Sequence, residues 1–360
     1  NWIGDLNANL SWNIDFWGKQ AALVSQAGSE AAAAQLDAAG ARLAISGALV
    51  QAYVALDRTY ALADVATETV QQRQHILDLS RQRVTSGLDS NAEVREAEAL
   101  LAAARAAEER AKGDRDIAIH EVAALAGDGA NAYAAIRRPT LRLDGALPLP
   151  QVLPADLLSR RPDVLAARLR VEAAVSGRKA AKASFYPDIN IMAFAGWAAI
   201  GLDTMLLAPS QNYGVGPAIH LPIFDGDKLK SQYEGATADV DAAVAGYNAT
   251  VISAVRNVAD RLTETGTLSR QLEHERQSLA AAQEAYRLAE RRYRAGLSTY
   301  LSVLSAETLL LDARQQQATL AAAQATNRVQ LLLAVGGDFT PPPNQAASDA
   351  ASGRAATIIH

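Results

Sequence analysis

The sequence predicts a mainly α-helical protein with a small β part and an internal duplication. Residues 83–98 and 292–307 share one pattern at an offset of 209 positions, and such a repeat governs how the remaining segments are interpreted. Two stretches without proline, residues 1–138 and 223–340, have the composition of long helices. The recurring pairs are Arg83 and Arg292, Gly87 and Gly296, Leu88 and Leu297, Val94 and Val303, Ala97 and Ala306, and Glu98 and Glu307.

Three segments alternate between apolar and polar residues, as β-strands do. Residues 6–16 are apolar at every even position and polar at every odd one, over a length that suits a tilted strand crossing a bilayer. Residues 213–223 form a second such segment, and residues 188–198, after Pro187, alternate less cleanly. A half-buried strand of a soluble sheet alternates in the same way. However, a strand leads directly into a long helix at corresponding places in both copies, which favours a membrane β part.

Each copy predicts a helix of about 65 residues, a tight turn at Gly87 or Gly296, and a return helix of about 37 residues. Glycines 209 positions apart, Gly127 and Gly336, are expected to end the return helices. Apolar residues recur at every seventh position, which indicates left-handed coiled-coil packing. This seam comprises Leu56, Ala63, Val70, Leu77 and Val84 in the first copy and Leu272, Leu279, Tyr286 and Tyr293 in the second.

The offset between the copies is 207 at the strand ends and 209 at the turns. The offset is also 207 between Ile45 and Ile252, which lie inside the predicted long helices. The sequence therefore predicts that the two long helices differ in length by two residues.

Composition narrows the possible functions. The net charge is −5 and there is no cysteine, so we expect neither a basic nucleic-acid-binding surface nor disulfides or thiolate metal sites. No run of 18 apolar residues occurs, and we therefore expect no transmembrane helix. The five histidines lack metal-ligand spacing, and no Ser/His/Asp signature is present. We expect no catalytic, cofactor-binding or metal site.

Four segments carry a family resemblance. They are L-P-A-D-L-L-S-R-R-P-D-V at residues 153–164 with S-F-Y-P-D-I-N-I at 184–191, H-L-P-I-F-D-G-D at 220–227, N-I-D-F-W-G-K at 13–19, and the paired turns T-S-G-L-D-S and R-A-G-L-S-T. With these segments the chain resembles the TolC-like outer-membrane efflux factors, in particular their lipoprotein (NodT-type) branch.

The resemblance implies a homotrimer in the outer membrane of a Gram-negative bacterium. Each protomer of this family gives four strands to a shared 12-stranded transmembrane β-barrel within the outer-membrane lipid. The α-hairpins form a trimeric α-barrel through the periplasm. The family's members are passive exit ducts that dock a periplasmic adaptor (membrane fusion protein) and an inner-membrane pump. The resemblance further implies a lipid-bearing cysteine, a helical pair and another strand before Trp2, so an N-terminally truncated chain is expected.

The resulting organisation has seven segments, named here by the part that each is expected to form. They are a first-repeat barrel strand (1–17), the first long α-hairpin (18–127), an equatorial linker (128–161), a helix entering the second repeat (162–186), two barrel strands (187–224), the second long α-hairpin (225–336) and a disordered tail (337–360).

The resemblance also implies that the hairpin tips bind the adaptor. The tip residues are Gly87, Leu88, Asp89 and Ser90 in the first copy and Gly296, Leu297, Ser298 and Thr299 in the second. Many members carry aspartates after the second tip that constrict the duct, where this chain has Ser302 and Ser305. We therefore expect any acidic gate to come from the first hairpin, through Asp89, Glu93 and Glu96.

Two alternatives to an export channel remain at this point. One is a non-transporting coiled-coil scaffold protein of the cell envelope, which would be soluble without detergent and absent from outer-membrane fractions. The other is an enzyme, which no constellation of residues supports.

Overall fold

A computed structural model describes residues 3–140, 160–200, 207–337 and 339 of the chain. Residues 141–159 of the predicted linker, and the predicted tail apart from residues 337 and 339, lie outside the described residues. The elements in chain order are β1 (Ile3–Ile14), α1 (Lys19–Thr85), α2 (Asn91–Ala126), a 3₁₀ helix (Ala130–Ala135), α3 (Pro162–Ala183), β2 (Asp188–Ile200), a 3₁₀ turn (Ala208–Ser210), β3 (Gln211–His220), α4 (Lys228–Arg294) and α5 (Tyr300–Ala334). The prediction of a mainly α fold with a small β part is confirmed.

The three strands form one antiparallel sheet in the order β1-β2-β3. Its register pairs Ile14 with Ile189 and Asp188 with His220. Residues 15–16 and 221–223, which we predicted as strand, lie beyond the ends of β1 and β3. The reason is the aspartate that follows each strand. Asp15 accepts hydrogen bonds from the backbone amides at the start of α1 (2.8 and 3.0 Å), and Asp225 accepts one at the start of α4 (2.7 Å).

The β1–β2 pairing depends on a glycine at position 196. A Cβ atom there would overlap with Asn7 Oδ1 and with the carbonyl oxygen of Leu6, and would lie 2.9 Å from Asn7 Cα. By contrast, a Cβ at Gly216, in the same sheet, meets no atom within 4 Å. The sheet therefore tolerates a methyl group at position 216 but not at position 196.

We expect Gly196→Ala to destabilise the sheet by about 3 kcal/mol, because a backbone cannot rotate away as a side chain can. The amount of folded protein recovered after expression measures this effect. Gly216→Ala is the matched control, and its recovery is expected to equal that of the wild type. Equal recovery of both variants would contradict the proposed steric constraint.

The two long helices are equal in length, at 67 residues each. Our prediction of a two-residue difference inside them is therefore wrong. The copies differ instead in the connection from strand to helix, which covers four residues, 15–18, before α1 and seven residues, 221–227, before α4. Extra residues in a connection cost little chain entropy, whereas extra residues in a helix would rotate its apolar seam.

Both hairpins turn with the same backbone geometry. Gly87 (φ 71°) and Gly296 (φ 76°) adopt the left-handed conformation that favours glycine. At the first tip the amide of Leu88 donates to the carbonyl of Arg83 (2.9 Å), and at the second the amide of Leu297 donates to that of Arg292 (2.8 Å). These six-to-one bonds define Schellman motifs. The predicted turns are confirmed, as are the predicted glycines after the return helices, Gly127 and Gly336, which also have positive φ.

The chain divides into two compact units, Asn1–Ala39 with Pro162–Ser253 and Gly40–Arg161 with Ala254–His360. The first holds the sheet, α3 and the beginnings of α1 and α4. The second holds both hairpin tips, and its largest core joins all four hairpin helices. Buried members of that core are Ile76, Leu77, Leu79, Ala97, Leu101, Ala282, Tyr286, Tyr293, Tyr300, Val303, Leu310 and Ala313. All nine predicted seam residues are buried or half-buried.

Among the described residues, one helix, α1, is long and apolar enough to cross a membrane by length and composition. An 18-residue window of α1 has a mean hydropathy of 1.3, and 22% of the window is buried. Polar residues stand between the apolar ones in this window, so it contains no unbroken apolar run. Composition alone therefore does not exclude α1 as a span, contrary to the prediction.

Candidate functional site at the hairpin tips

A buried arginine connects the first tip to the second hairpin. Arg83, in the last turn of α1, forms a bidentate ion pair with Asp89 (2.8 and 3.0 Å), and the two side chains are only 9% and 11% exposed. The Arg83 guanidinium also donates to the backbone carbonyl of Tyr293 on α4 and lies 4.4 Å from the centre of the Tyr293 ring. The Tyr293 hydroxyl donates in turn to Asp89. We call Arg83, Asp89 and Tyr293 the tip clamp.

Hydrogen bonding and burial set the charge states of the tip clamp. The hydrogen bonds from Arg83 hold the pKa of Asp89 below its ordinary value, and the same bonds raise the pKa of Arg83. Burial, followed by the hydrogen bond to Asp89, raises the pKa of Tyr293 to about 12. At neutral pH the clamp therefore consists of a guanidinium, a carboxylate and a neutral phenol, the combination in which each donor has an acceptor.

The second copy lacks this arrangement although its backbone turns identically. Arg292, the counterpart of Arg83, is exposed, and Ser298 stands at the position of Asp89. The Ser298 hydroxyl is buried and has no hydrogen-bond partner among the described residues. The clamp is thus a one-sided feature: residues of the first tip hold α4 of the second hairpin.

The return helices also begin differently. Ser90 caps α2 by accepting from the Ala92 amide (3.2 Å), and Glu93 reaches back to the Ser90 amide (3.1 Å), which together form a capping box. The hydrogen bond from the Ser90 hydroxyl has the largest effect on the Glu93 carboxyl and, together with the backbone hydrogen bonds, lowers its pKa. Thr299 occupies the same position before α5 but makes no side-chain capping bond.

We expect Ser90→Ala to lower the stability of the first turn of α2 by about 1 kcal/mol, because it leaves helix amides without an acceptor. Faster hydrogen exchange of the amides that follow Ser90 measures this loss. Thr299→Ala is the matched control and should leave exchange at the start of α5 unchanged, since Thr299 makes no capping bond. Equal effects of the two substitutions would contradict the assignment of the cap.

The structure places the predicted tip and gate residues in three different environments. Leu88 and Leu297 are 60% and 78% exposed and project an apolar side chain from each tip. Asp89 is engaged by Arg83 and Tyr293, so its charge is not free. Glu96, Ser302 and Ser305 are exposed. The Ser305 hydroxyl donates to the Leu301 carbonyl (2.9 Å), and that of Ser302 lies 3.2 Å from Thr299 Oγ1.

A second buried ion pair lies deeper in the hairpins. Arg73 on α1 faces Glu307 on α5 with Nε and Oε1 2.8 Å apart, and the side chains are 10% and 3% exposed. Burial is the main influence on Glu307 and raises the pKa of its carboxyl, against the opposing effect of Arg73. Its counterpart in the first copy, Glu98, pairs instead with Arg81 and Arg95 at the surface.

The roles of Arg83, Tyr293 and Arg73 were not predicted from the sequence. The sequence identifies Arg83 only as a member of the repeat and Tyr293 only as a seam residue. A signal was nevertheless present, because an arginine at the end of an apolar seam and a tyrosine within it both need a polar partner once buried. Among the described residues, no group of three or more His, Cys, Asp or Glu side chains is arranged to hold a metal ion.

Comparison with known proteins identifies the family. The outer membrane efflux protein family matches residues 4–128 and 153–337. The fusaric acid resistance protein FusA of Burkholderia cepacia is 39% identical over 241 residues, which are 66% of this chain and 46% of that protein. The toluene efflux pump outer membrane protein TtgF of Pseudomonas putida is 32% identical over 346 residues, 93% of this chain and 69% of that protein. The chain thus spans about half of the first relative's length and about two thirds of the second's.

The fold agrees with this relationship. The crystal structure of the outer membrane protein VceC from Vibrio cholerae superposes with a TM-score of 0.87 at 35% sequence identity, over 94% of this chain and 80% of that one. The family match covers both copies of the duplication and the strands that precede each long helix. The chain therefore belongs to the outer membrane efflux protein family, and it is an outer-membrane protein of a Gram-negative bacterium whose helices extend into the periplasm.

Proposed function

We propose that the protein is the outer-membrane exit duct of a tripartite efflux system and that it performs no catalysis. One observation carries this proposal: in each copy, a strand with one apolar face leads into a 67-residue helix, a glycine turn and a return helix. The strands supply a membrane wall and the helices a wall across the periplasm. Both walls are needed for a duct and neither is needed for an enzyme.

The sheet also supports an oligomer. Its strands β1 and β3 each have a free edge among the described strands, and a free edge in lipid leaves backbone amides and carbonyls without partners. Three strands are too few to close a barrel. Three copies that contribute four strands each would close one of 12, which is the homotrimer that the sequence resemblance implies.

In this proposal the tips bind the periplasmic adaptor, which links the duct to an inner-membrane pump. The exposed Leu88 and Leu297 offer apolar contacts at the turns, and the tip clamp fixes the first tip relative to α4. Since Asp89 is neutralised by Arg83, the acidic groups available to a gate are Glu93 and Glu96.

The cargo proposed for this duct is small organic molecules, selected by the pump. The names of two relatives refer to fusaric acid and to toluene, and we propose that aromatic compounds are among the molecules exported here. Deletion of the gene should increase sensitivity to such compounds, and complementation should restore resistance.

The direct test uses the full-length protein purified in detergent. We expect the mass of a trimer by light scattering and ion conductance after insertion into planar bilayers. A monomer that forms no channels would instead support the coiled-coil scaffold. A further measurement addresses the gate: Ser302→Asp with Ser305→Asp should increase cation selectivity if these residues face the duct, and unchanged selectivity would place them outside it.

A further inference from the structure

The two faces of the sheet differ sharply in polarity. One face is apolar and the other is polar along most of its length. The apolar face carries Leu6, Leu10, Trp12, Ile189, Ile191, Trp197, Tyr213, Val215 and Ile219, and the polar face carries Asp5, Asn7, Asn9, Ser11, Asn13, Asp188 and Asn190. In an outer-membrane barrel the apolar face contacts lipid and the polar face lines the lumen.

Two large apolar side chains interrupt the middle of the polar face. Met192 and Phe194 lie on β2 two residues apart and therefore point to the same side of the sheet. They are 51% and 40% exposed. Met192 is paired with Ser11 on β1, and Phe194 with Asn9, both of which are polar-face residues. Both apolar side chains would therefore stand in the aqueous channel.

Two glycines on β3 shape the surface beside this pair. Gly214 lies opposite Phe194, and a Cβ there would be 2.8 Å from the ring, so the phenyl ring lies across the neighbouring strand. Gly216 lies opposite Met192, and a Cβ there would meet no atom within 4 Å. The surface over Gly216 is therefore open, opposite Met192 and two residues along β3 from the glycine that the Phe194 ring covers.

We propose that Met192, Phe194 and the open glycine surface at Gly216 form a contact site for aromatic molecules on the inner wall of the channel. The site rests on the proposed duct function, because its ligand is cargo in transit. A phenyl ring favours an offset or edge-on aromatic partner, and a thioether sulfur makes favourable contacts with ring edges. Asn9 lies opposite Phe194 on β1 and offers hydrogen bonds to a polar substituent on the ring.

The packing of Phe194 over Gly214 has a simpler explanation, in which the ring only shields the glycine backbone. That role requires the ring to cover Gly214 but requires nothing of the open space over Gly216. A contact site requires both. The two explanations therefore differ in their prediction for Gly216→Ala. The added methyl group touches no neighbouring atom of the protein but raises the flat glycine surface on which a ligand would lie, so only the contact site predicts a consequence.

The test measures channel block in planar bilayers containing the full-length protein. Benzylammonium is the aromatic probe and n-butylammonium the non-aromatic control. We expect benzylammonium to stay in the wild-type channel about two- to tenfold longer than n-butylammonium, as the usual strength of a ring–ring contact gives. This excess should disappear in Phe194→Ser, decrease in Phe194→Leu, and decrease in Gly216→Ala, whose yield should remain normal.

Two outcomes would overturn the inference. One is an equal residence time for the two amines in the wild type, and the other is an unchanged excess in either Phe194→Ser or Gly216→Ala. If Phe194→Ser forms fewer channels but those channels keep the wild-type excess, the ring only covers Gly214 and the inference fails. Absence of any conductance in the wild type would overturn the proposed duct function instead, so the two failures are distinguishable.

Discussion

Replacing Glu307 with leucine is expected to destabilise the hairpins by about 3–5 kcal/mol, because it leaves the Arg73 guanidinium buried without a counter-charge. The loss should appear as a lower free energy of local opening in hydrogen exchange of α1 and α5. Glu98→Leu is the matched control. It occupies the same position in the first copy, and its surface pairs with Arg81 and Arg95 are exposed, so exchange should resemble that of the wild type.

Stability should also depend on pH through Glu307. Because burial raises the pKa of Glu307, its ionised form is less favourable in the folded protein than in the unfolded chain. This carboxyl therefore favours folding at low pH, and its contribution is lost as the pH rises through the raised pKa.

A double substitution separates the charge of the pair from its packing. Arg73→Met combined with Glu307→Leu should recover the wild-type stability or exceed it. A double variant as unstable as Glu307→Leu would show that the pair contributes net stability through its geometry.

Replacing Arg83 with alanine is expected to release the first tip from α4. The substitution removes the buried counter-charge of the Asp89 carboxylate and the guanidinium's hydrogen bond to the Tyr293 carbonyl, at a cost of about 3 kcal/mol. Hydrogen exchange should accelerate at both tips. Arg292→Ala removes the exposed counterpart of Arg83 and should leave exchange at the tips unchanged.

The tip clamp also predicts a pH dependence. The pKa of Asp89 is lowered in the folded protein, so its stabilising contribution is present above the ordinary carboxyl pKa and is lost as the pH falls through the lowered one. Protection of the tip amides, measured relative to their intrinsic exchange rate at each pH, should therefore fall in acid in the wild type, whereas in Arg83→Ala it should be low throughout. Identical pH profiles for Arg83→Ala and the wild type would show that the pair of Arg83 with Asp89 does not stabilise the tips.

The architecture was largely predictable from the sequence because its signals are periodic. Alternation over residues 6–16 and the seven-residue seam are backbone periodicities, and Gly87 and Gly296 mark conformations that other residues adopt at a cost. Element ends were less predictable. Asp15 follows the alternating pattern of β1, and only its hydrogen bonds to the start of α1 show that it caps a helix instead of extending the strand.

The tip clamp could not be predicted, because its members come from distant parts of the chain. Arg83 and Asp89 are neighbours in sequence, but whether their pair is buried depends on Tyr293 from the other hairpin. For the same reason Glu98 and Glu307 are indistinguishable as members of the repeat, although one is at the surface and the other in the core. Repetition identifies equivalent positions along the chain but not their surroundings.

The equal lengths of α1 and α4 constrain how such a chain can change during evolution. Each residue advances a helix by about 100°, so inserting two residues would turn everything beyond them by about 200° and move the seam to the opposite side. Additions in whole heptads keep the seam in place and lengthen the hairpin by roughly 10 Å each. The connections at residues 15–18 and 221–227, by contrast, differ in length by three residues. Relatives that span a wider or narrower periplasm are therefore expected to differ by multiples of seven in each hairpin arm.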